Sequence, residues 1–133
     1  MSTPDPGRPE PGEAAALEAA WVELADELDG DRAAVGRFAG SWVALLANRV
    51  TGLERALRRD DHEAVRDSLL SFSCTSTMLG VTGLAAAADR ALASLDQAGV
   101  DGARRHLDDV SAQARSATML VASILAQGRW SNR

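Results

Sequence analysis

All four prolines of this 133-residue chain fall at positions 4, 6, 9 and 11, and none follows. The 122 residues after Pro11 are rich in Ala, Leu, Arg, Glu and Asp. Proline breaks helix interiors, and these five residue types include good helix formers, so the pattern predicts a helical protein. There is one isoleucine, Ile124, and no tyrosine. An all-β fold has too few β-branched and aromatic residues to draw on. The length fits one domain with one real core.

Composition also closes off chemistry. Every one of the 14 basic residues is arginine, so neither a Schiff-base lysine nor a phosphate-loop lysine exists. Two histidines and one cysteine cannot build the usual four-ligand zinc site in one chain, and no disulfide framework is possible. No metal or cofactor is expected. The net charge of -5 argues against nucleic acid as a partner. The first residues, MSTPDPGRPEPGE, carry no apolar signal segment, and no run is long and apolar enough to cross a membrane. With a single cysteine, Cys74, a cytoplasmic location is expected.

Apolar spacing separates five helices. The first carries Leu17, Trp21, Leu24 and Leu28 and stops at Asp29-Gly30-Asp31. The second carries Phe38, Trp42, Leu46, Val50, Leu53 and Leu57. The third begins at Asp60 or Asp61, with Asp60-x-x-Glu63 read as a capping box. Its stripe is Val65, Leu69, Phe72, Ser76 and Leu79, and Gly80 ends it. Thr82 is expected to cap the fourth, which runs through Leu84, Ala88, Ala91 and Leu95 to Gly99. Asp101 is expected to cap the fifth, whose stripe runs from Ala103 and Leu107 to Val121 and Ile124. Short turns between such helices favour antiparallel neighbours. The expectation is all-α: an antiparallel up-down-up-down four-helix bundle with an additional N-terminal helix. Residues 1–12 read as a disordered Pro-rich tail, 13–127 as the bundle and 128–133 as a C-terminal tail.

One stretch has a more particular spacing. Trp42 is followed by Leu46, Val50 and Leu53, then Ala56-Leu57, then the turn residue Asp61, and finally Leu79-Gly80. This series resembles the histidine-containing phosphotransfer (HPt) family. Those are small four-helix bundles that pass phosphoryl groups between histidine kinases and the receiver domains of response regulators. Upstream LADELDGDRAAV and downstream LAAAADRALASLDQAGVDGARRHLDDV extend the resemblance over roughly residues 17–125. The family places Ala-His-x-Leu-Lys-Gly between the turn aspartate and the closing Leu-Gly. Here LLSFSCTSTMLGV stands in that place. Nine residues forward from Asp61 and nine back from Leu79 both arrive at Leu70. Leucine therefore occupies the phospho-acceptor slot, Ser73 the lysine position and Cys74 the glycine position. Leucine has no nucleophilic atom, so the family's transfer through histidine is chemically closed. Losing the lysine removes a charge that helps hold the phosphoryl group. The chain is not expected to be an enzyme or a phosphate carrier.

What remains is a surface. At about 100° per residue, Leu70 lies about 140° from the centre of the third helix's apolar stripe, beside Arg66, Ser73, Cys74 and Thr77. The resemblance implies that a receiver domain, or a histidine kinase, docks on the second and third helices. Ala44, Ala47, Asn48 and Thr51 are expected at the same level on the second. An incidentally exposed leucine is the plain alternative. Another is a structural or homodimerisation module whose seam is Leu70, Cys74 and Val81. A third is a phosphoryl carrier using His62 or His106. Neither histidine has the slot's spacing, and the serines and threonines near Leu70 have no general base beside them. Cys74 has no His or Lys at i±3 or i±4 to activate its thiol.

Overall fold

A computed structural model of the chain describes residues 11–131. These form five helices, with no strand among the described residues: α1 (Pro11–Glu27), α2 (Arg32–Arg58), α3 (His62–Met78), α4 (Thr82–Arg104) and α5 (Leu107–Ala126). The all-α expectation is met. Residues 1–10, 132 and 133 of the two anticipated tails lie outside the described residues. Helix α1 starts at Pro11 rather than at residue 13, because the first helical turn does not need the N–H that proline lacks.

The turns follow the glycines and aspartates. Asp29 and Gly30 both take positive φ and close α1. Leu28 lies in that turn, exposed, although the stripe of α1 points to it as a core position. Asp61 is the N-cap of α3, accepting a hydrogen bond from the Ala64 amide at 3.1 Å. This corrects the capping box at Asp60: that residue has φ 52° and belongs to the turn leaving α2. Gly80, at φ 76°, ends α3. Thr82 does not cap α4. The N-cap is Val81, which has no side-chain oxygen to offer, and its side chain is buried.

Gly99 breaks the path of α4 with φ 72° and ψ -159°. The turn of helix beyond it leads through Arg105 and His106, both in right-handed helical geometry, into α5. Asp101 therefore does not cap the long fifth helix; it pairs with Arg104 three residues on. Arg104 also donates to the Leu57 carbonyl at 2.5 Å and to Asp60 at 2.8 Å, tying this turn to the α2–α3 turn. The hydrogen bond to Asp60, followed by the charges of Asp60 and Asp101, holds its guanidinium above the ordinary arginine pKa.

Helix α2 packs on α3 and α5, α3 on α4, and α4 on α5, so the four enclose one core. Its largest members include Phe72, Leu46, Leu53, Leu69, Leu84, Leu95 and Ile124. Cross-contacts show the register. Trp42 Nε1 donates to Thr75 at 2.9 Å and Arg49 to Ser71 at 2.8 Å, so α2 ascends as α3 descends. Ser73 donates to Asp89 and Arg66 to Asp96, the same relation between α3 and α4. Arg90 meets Asp109 at 2.6 Å and Ser94 meets His106 Nε2 at 2.7 Å, bringing α4 against the start of α5.

Helix α1 closes one end of this core. Trp21 is fully buried and donates its indole N–H to the Leu79 carbonyl at 2.8 Å. The chain then returns to the same place. Residues 128–131 do not leave the bundle: Trp130 is only 3% exposed and packs edge-on to Trp21. Arg129 pairs with Glu18 of α1, and the Arg32 guanidinium lies 5.1 Å from the centre of the Trp130 ring. A Cβ on Gly36 would stand 1.8 Å from the Trp130 carbonyl oxygen, so only glycine admits this approach.

Candidate docking face

The outer side of α3 is built by what its inner side buries. Val65, Leu69, Phe72 and Ser76 point into the core, which turns Arg66, Leu70, Cys74 and Thr77 outward. Leu70 is 41% exposed. Arg66 is one turn before it and Ser73 one turn after, on neighbouring positions of the helix surface. Both are drawn toward α4. Arg66 forms an ion pair with Asp96 at 2.8 Å, and the Ser73 hydroxyl donates to Asp89 at 2.6 Å. Cys74 is exposed and carries a free thiol.

The residues expected on α2 do not share one flank of that helix. Ala44, Ala47, Asn48 and Thr51 are all exposed. The seam between α2 and α3 is made by Trp42 with Thr75 and by Arg49 with Ser71. About 100° of rotation per residue puts Arg49 and Leu45 on one flank of the Trp42–Leu46–Leu53 stripe and Ala47 on the other. Ala47 accordingly lines a groove of about 210 Å³ with Val50 and Glu54 of α2 and Ser111, Arg115 and Thr118 of α5. The Thr51 hydroxyl turns back to the Ala47 carbonyl. The α3 set thus leans to the α4 side, while on α2 Ala47 faces α5, Ala44 and Thr51 face outward, and Asn48 falls on the flank of Leu45 and Arg49.

Besides Val22 of α1, three exposed apolar side chains are not singled out by the apolar stripes. Met78 is 54% exposed and continues Leu70 and Cys74 at the four-residue spacing that keeps one line along a helix. Leu45 of α2, at 47%, is on the flank facing α3. Met119 is exposed on α5. Met78 was legible as the next step of the Leu70–Cys74 line. Val81, which the dimerisation reading placed on that seam, is buried and does not contribute.

The two histidines stand apart from Leu70. His62 is exposed in the first turn of α3, and His106 is held by Ser94 at the turn before α5. Among the described residues no group of three or more His, Cys, Asp or Glu is arranged to hold a metal ion. Nor is any helix there long and apolar enough to cross a membrane. No protein-family model, no curated protein and no solved structure matches the chain.

Proposed function

We propose that the chain is an HPt-type module without phosphotransfer, which acts in cytoplasmic two-component signalling by docking a receiver domain through the outer face of α3. On this reading α2 to α5 are the up-down-up-down bundle and α1 is the additional helix. The observation that carries the proposal is the position of Leu70. Asp61 and Leu79, each nine residues from Leu70, are the N-cap and the C-cap of α3. Leu70 stands between them, exposed, on the side turned away from the core.

An apolar centre beside a single arginine suits protein contact better than phosphoryl binding. Arg66 is already engaged by Asp96, and the position that would hold the family's lysine contributes a hydroxyl bound to a carboxylate. A phosphoryl group there would meet Asp89 and no free cation on α3's outer face. Docking without transfer would sequester a response regulator or block its access to a kinase. The site is Arg66, Leu70, Ser73, Cys74 and Thr77 of α3, with Asn48 on the adjoining flank of α2; Ala47 faces α5 instead.

The test is a titration of the labelled chain with purified receiver domains from the same genome, against Leu70→Asp as control. A receiver that binds the wild type, with affinity at least about tenfold weaker for the variant, supports the proposal. If no receiver in the set binds, or the variant binds equally, the reading fails. Incubation with phosphorylated receivers should leave no phosphoryl group on His62 or His106.

A further inference from the structure

Charge is distributed unevenly between the first two helices. Helix α1 carries Glu13, Glu18, Glu23, Asp26 and Glu27 and no basic residue. Helix α2 carries five arginines against one acid, Glu54. Glu18 is used by Arg129, Arg37 stands 4.0 Å from Asp31, and Arg49 is used by Ser71. Among the described residues Glu23, Asp26, Glu27 and Arg55 make no ion pair.

Each helix also presents an exposed outer line. On α2 it is Arg37, Ser41, Ala44, Asn48, Thr51 and Arg55, all exposed, at alternating steps of four and three. That is the spacing of a helix seam that meets another helix. Its centre is small and uncharged, and an arginine stands at either end. On α1 the line is Ala15, Ala19, Val22 and Asp26, also exposed and at the same steps. Its centre is small and apolar, with Glu23 and Glu27 beside it. Helix α1 uses its opposite side, Leu17, Trp21 and Ala25, to pack on its own bundle. The line on α1 spans about 17 Å and that on α2 about 27 Å at 1.5 Å per residue, so the first fits between the arginines of the second.

We propose that these two faces meet between copies: the acidic outer face of α1 in one chain seats on the arginine-ended outer face of α2 in a second. Glu23, Asp26 and Glu27 stand together at one end of the α1 line, so they select one of the two end arginines of α2, and the small residues on both lines let the helices approach closely. If each chain both gives α1 and receives it, the contact is reciprocal and closes as a dimer. The proposal is independent of receiver docking, which centres on the outer face of α3 and shares only Asn48 with this line.

The experiment is sedimentation velocity of the full chain at about 0.05 M and about 0.5 M salt, between which screening shortens severalfold. A dimer at low salt that dissociates at high salt is expected. Two double variants are then compared, Glu23→Arg with Asp26→Arg, and Arg37→Glu with Arg55→Glu, with circular dichroism verifying that both remain helical. Each alone should raise the dimer dissociation constant by at least about tenfold, since several exposed pairs turn from attraction to repulsion. Mixed together they should form a heterodimer, because each carries the charge the other's face requires. A monomer at low salt overturns the proposal and leaves the α2 face to an acidic partner of another kind. A dimer untouched by both reversals, or a mixture that does not associate, overturns it as well.

Discussion

Trp130 meets Trp21 edge to face, with ring centroids 5.3 Å apart and planes at 84°. The pair joins the last described turn of the chain to its first helix, more than a hundred residues apart in sequence. Edge-to-face aromatic contact adds to the area buried. Trp130→Ala should therefore cost about 3 kcal/mol, the lower end for a buried large aromatic. Urea unfolding measures it, and the near-ultraviolet circular dichroism of the tryptophans should weaken in the folded variant.

Gly36 offers an independent check on the same contact. An added methyl collides with the Trp130 backbone rather than with a flexible side chain. Gly36→Ala would ordinarily favour a helix by about 1 kcal/mol. Here it should destabilise instead, by about 2 kcal/mol or more, as overpacking does. In a chain already carrying Trp130→Ala the penalty should persist, since the clash is with the carbonyl oxygen. A stabilising Gly36→Ala would mean the C-terminal turn does not sit on α2.

The helices themselves were legible because apolar residues recur at helical steps and glycine or aspartate interrupts them. Less was legible at the ends. Asp60 and Asp61 both satisfy a capping pattern, and only the backbone decides that Asp61 caps while Asp60 turns. Trp130 lies beyond the last helix, where periodicity has nothing to say about a single side chain. The candidate site was half legible. The wheel of α3 places Leu70 outward correctly, because burial of Leu69 and Phe72 fixes the inner side. For α2, counting from the turn gives the level of Ala44, Ala47, Asn48 and Thr51 along the axis. It does not give which flank of α2 adjoins α3, since that depends on where α5 packs.

Gly80 and Gly30 share nearly the same φ, 76° and 79°, but differ in what surrounds them. A Cβ at Gly80 would come within 2.5 Å of the Ala20 side chain of α1, whereas nothing lies near Gly30. Gly30→Ala should cost about 1 kcal/mol for the left-handed backbone alone. Gly80→Ala should cost about 2 kcal/mol or more, the excess reflecting displacement of α1. Equal losses in denaturant unfolding would contradict the seating of α1 on the α3–α4 turn.

Ser76 points into the core with its hydroxyl fully buried and without a hydrogen-bond partner. Such a group is desolvated on folding with no return. Ser76→Ala removes the penalty and improves helix propensity, at the cost of one small atom's packing. We expect stability to rise by about 1 kcal/mol, read as a higher midpoint in urea with an unchanged slope.

Leu69 and Leu70 are neighbours in sequence and opposites in the fold, at 1% and 41% exposure. Their contrast tests the orientation on which the docking proposal depends. Leu69→Asp would bury a carboxylate among Phe72, Val65 and the facing helices with no partner. It should cost about 4 kcal/mol or more and leave the chain largely unfolded. Leu70→Asp places the same group in water, between Arg66 and Ser73, and should cost no more than about 1 kcal/mol, mostly helix propensity. Thermal unfolding of the two variants separates these outcomes without any partner. If Leu70→Asp proves as damaging as Leu69→Asp, Leu70 is a core residue and cannot be the centre of a docking face. If both are tolerated, α3 is not packed by the Val65–Leu69–Phe72 stripe at all.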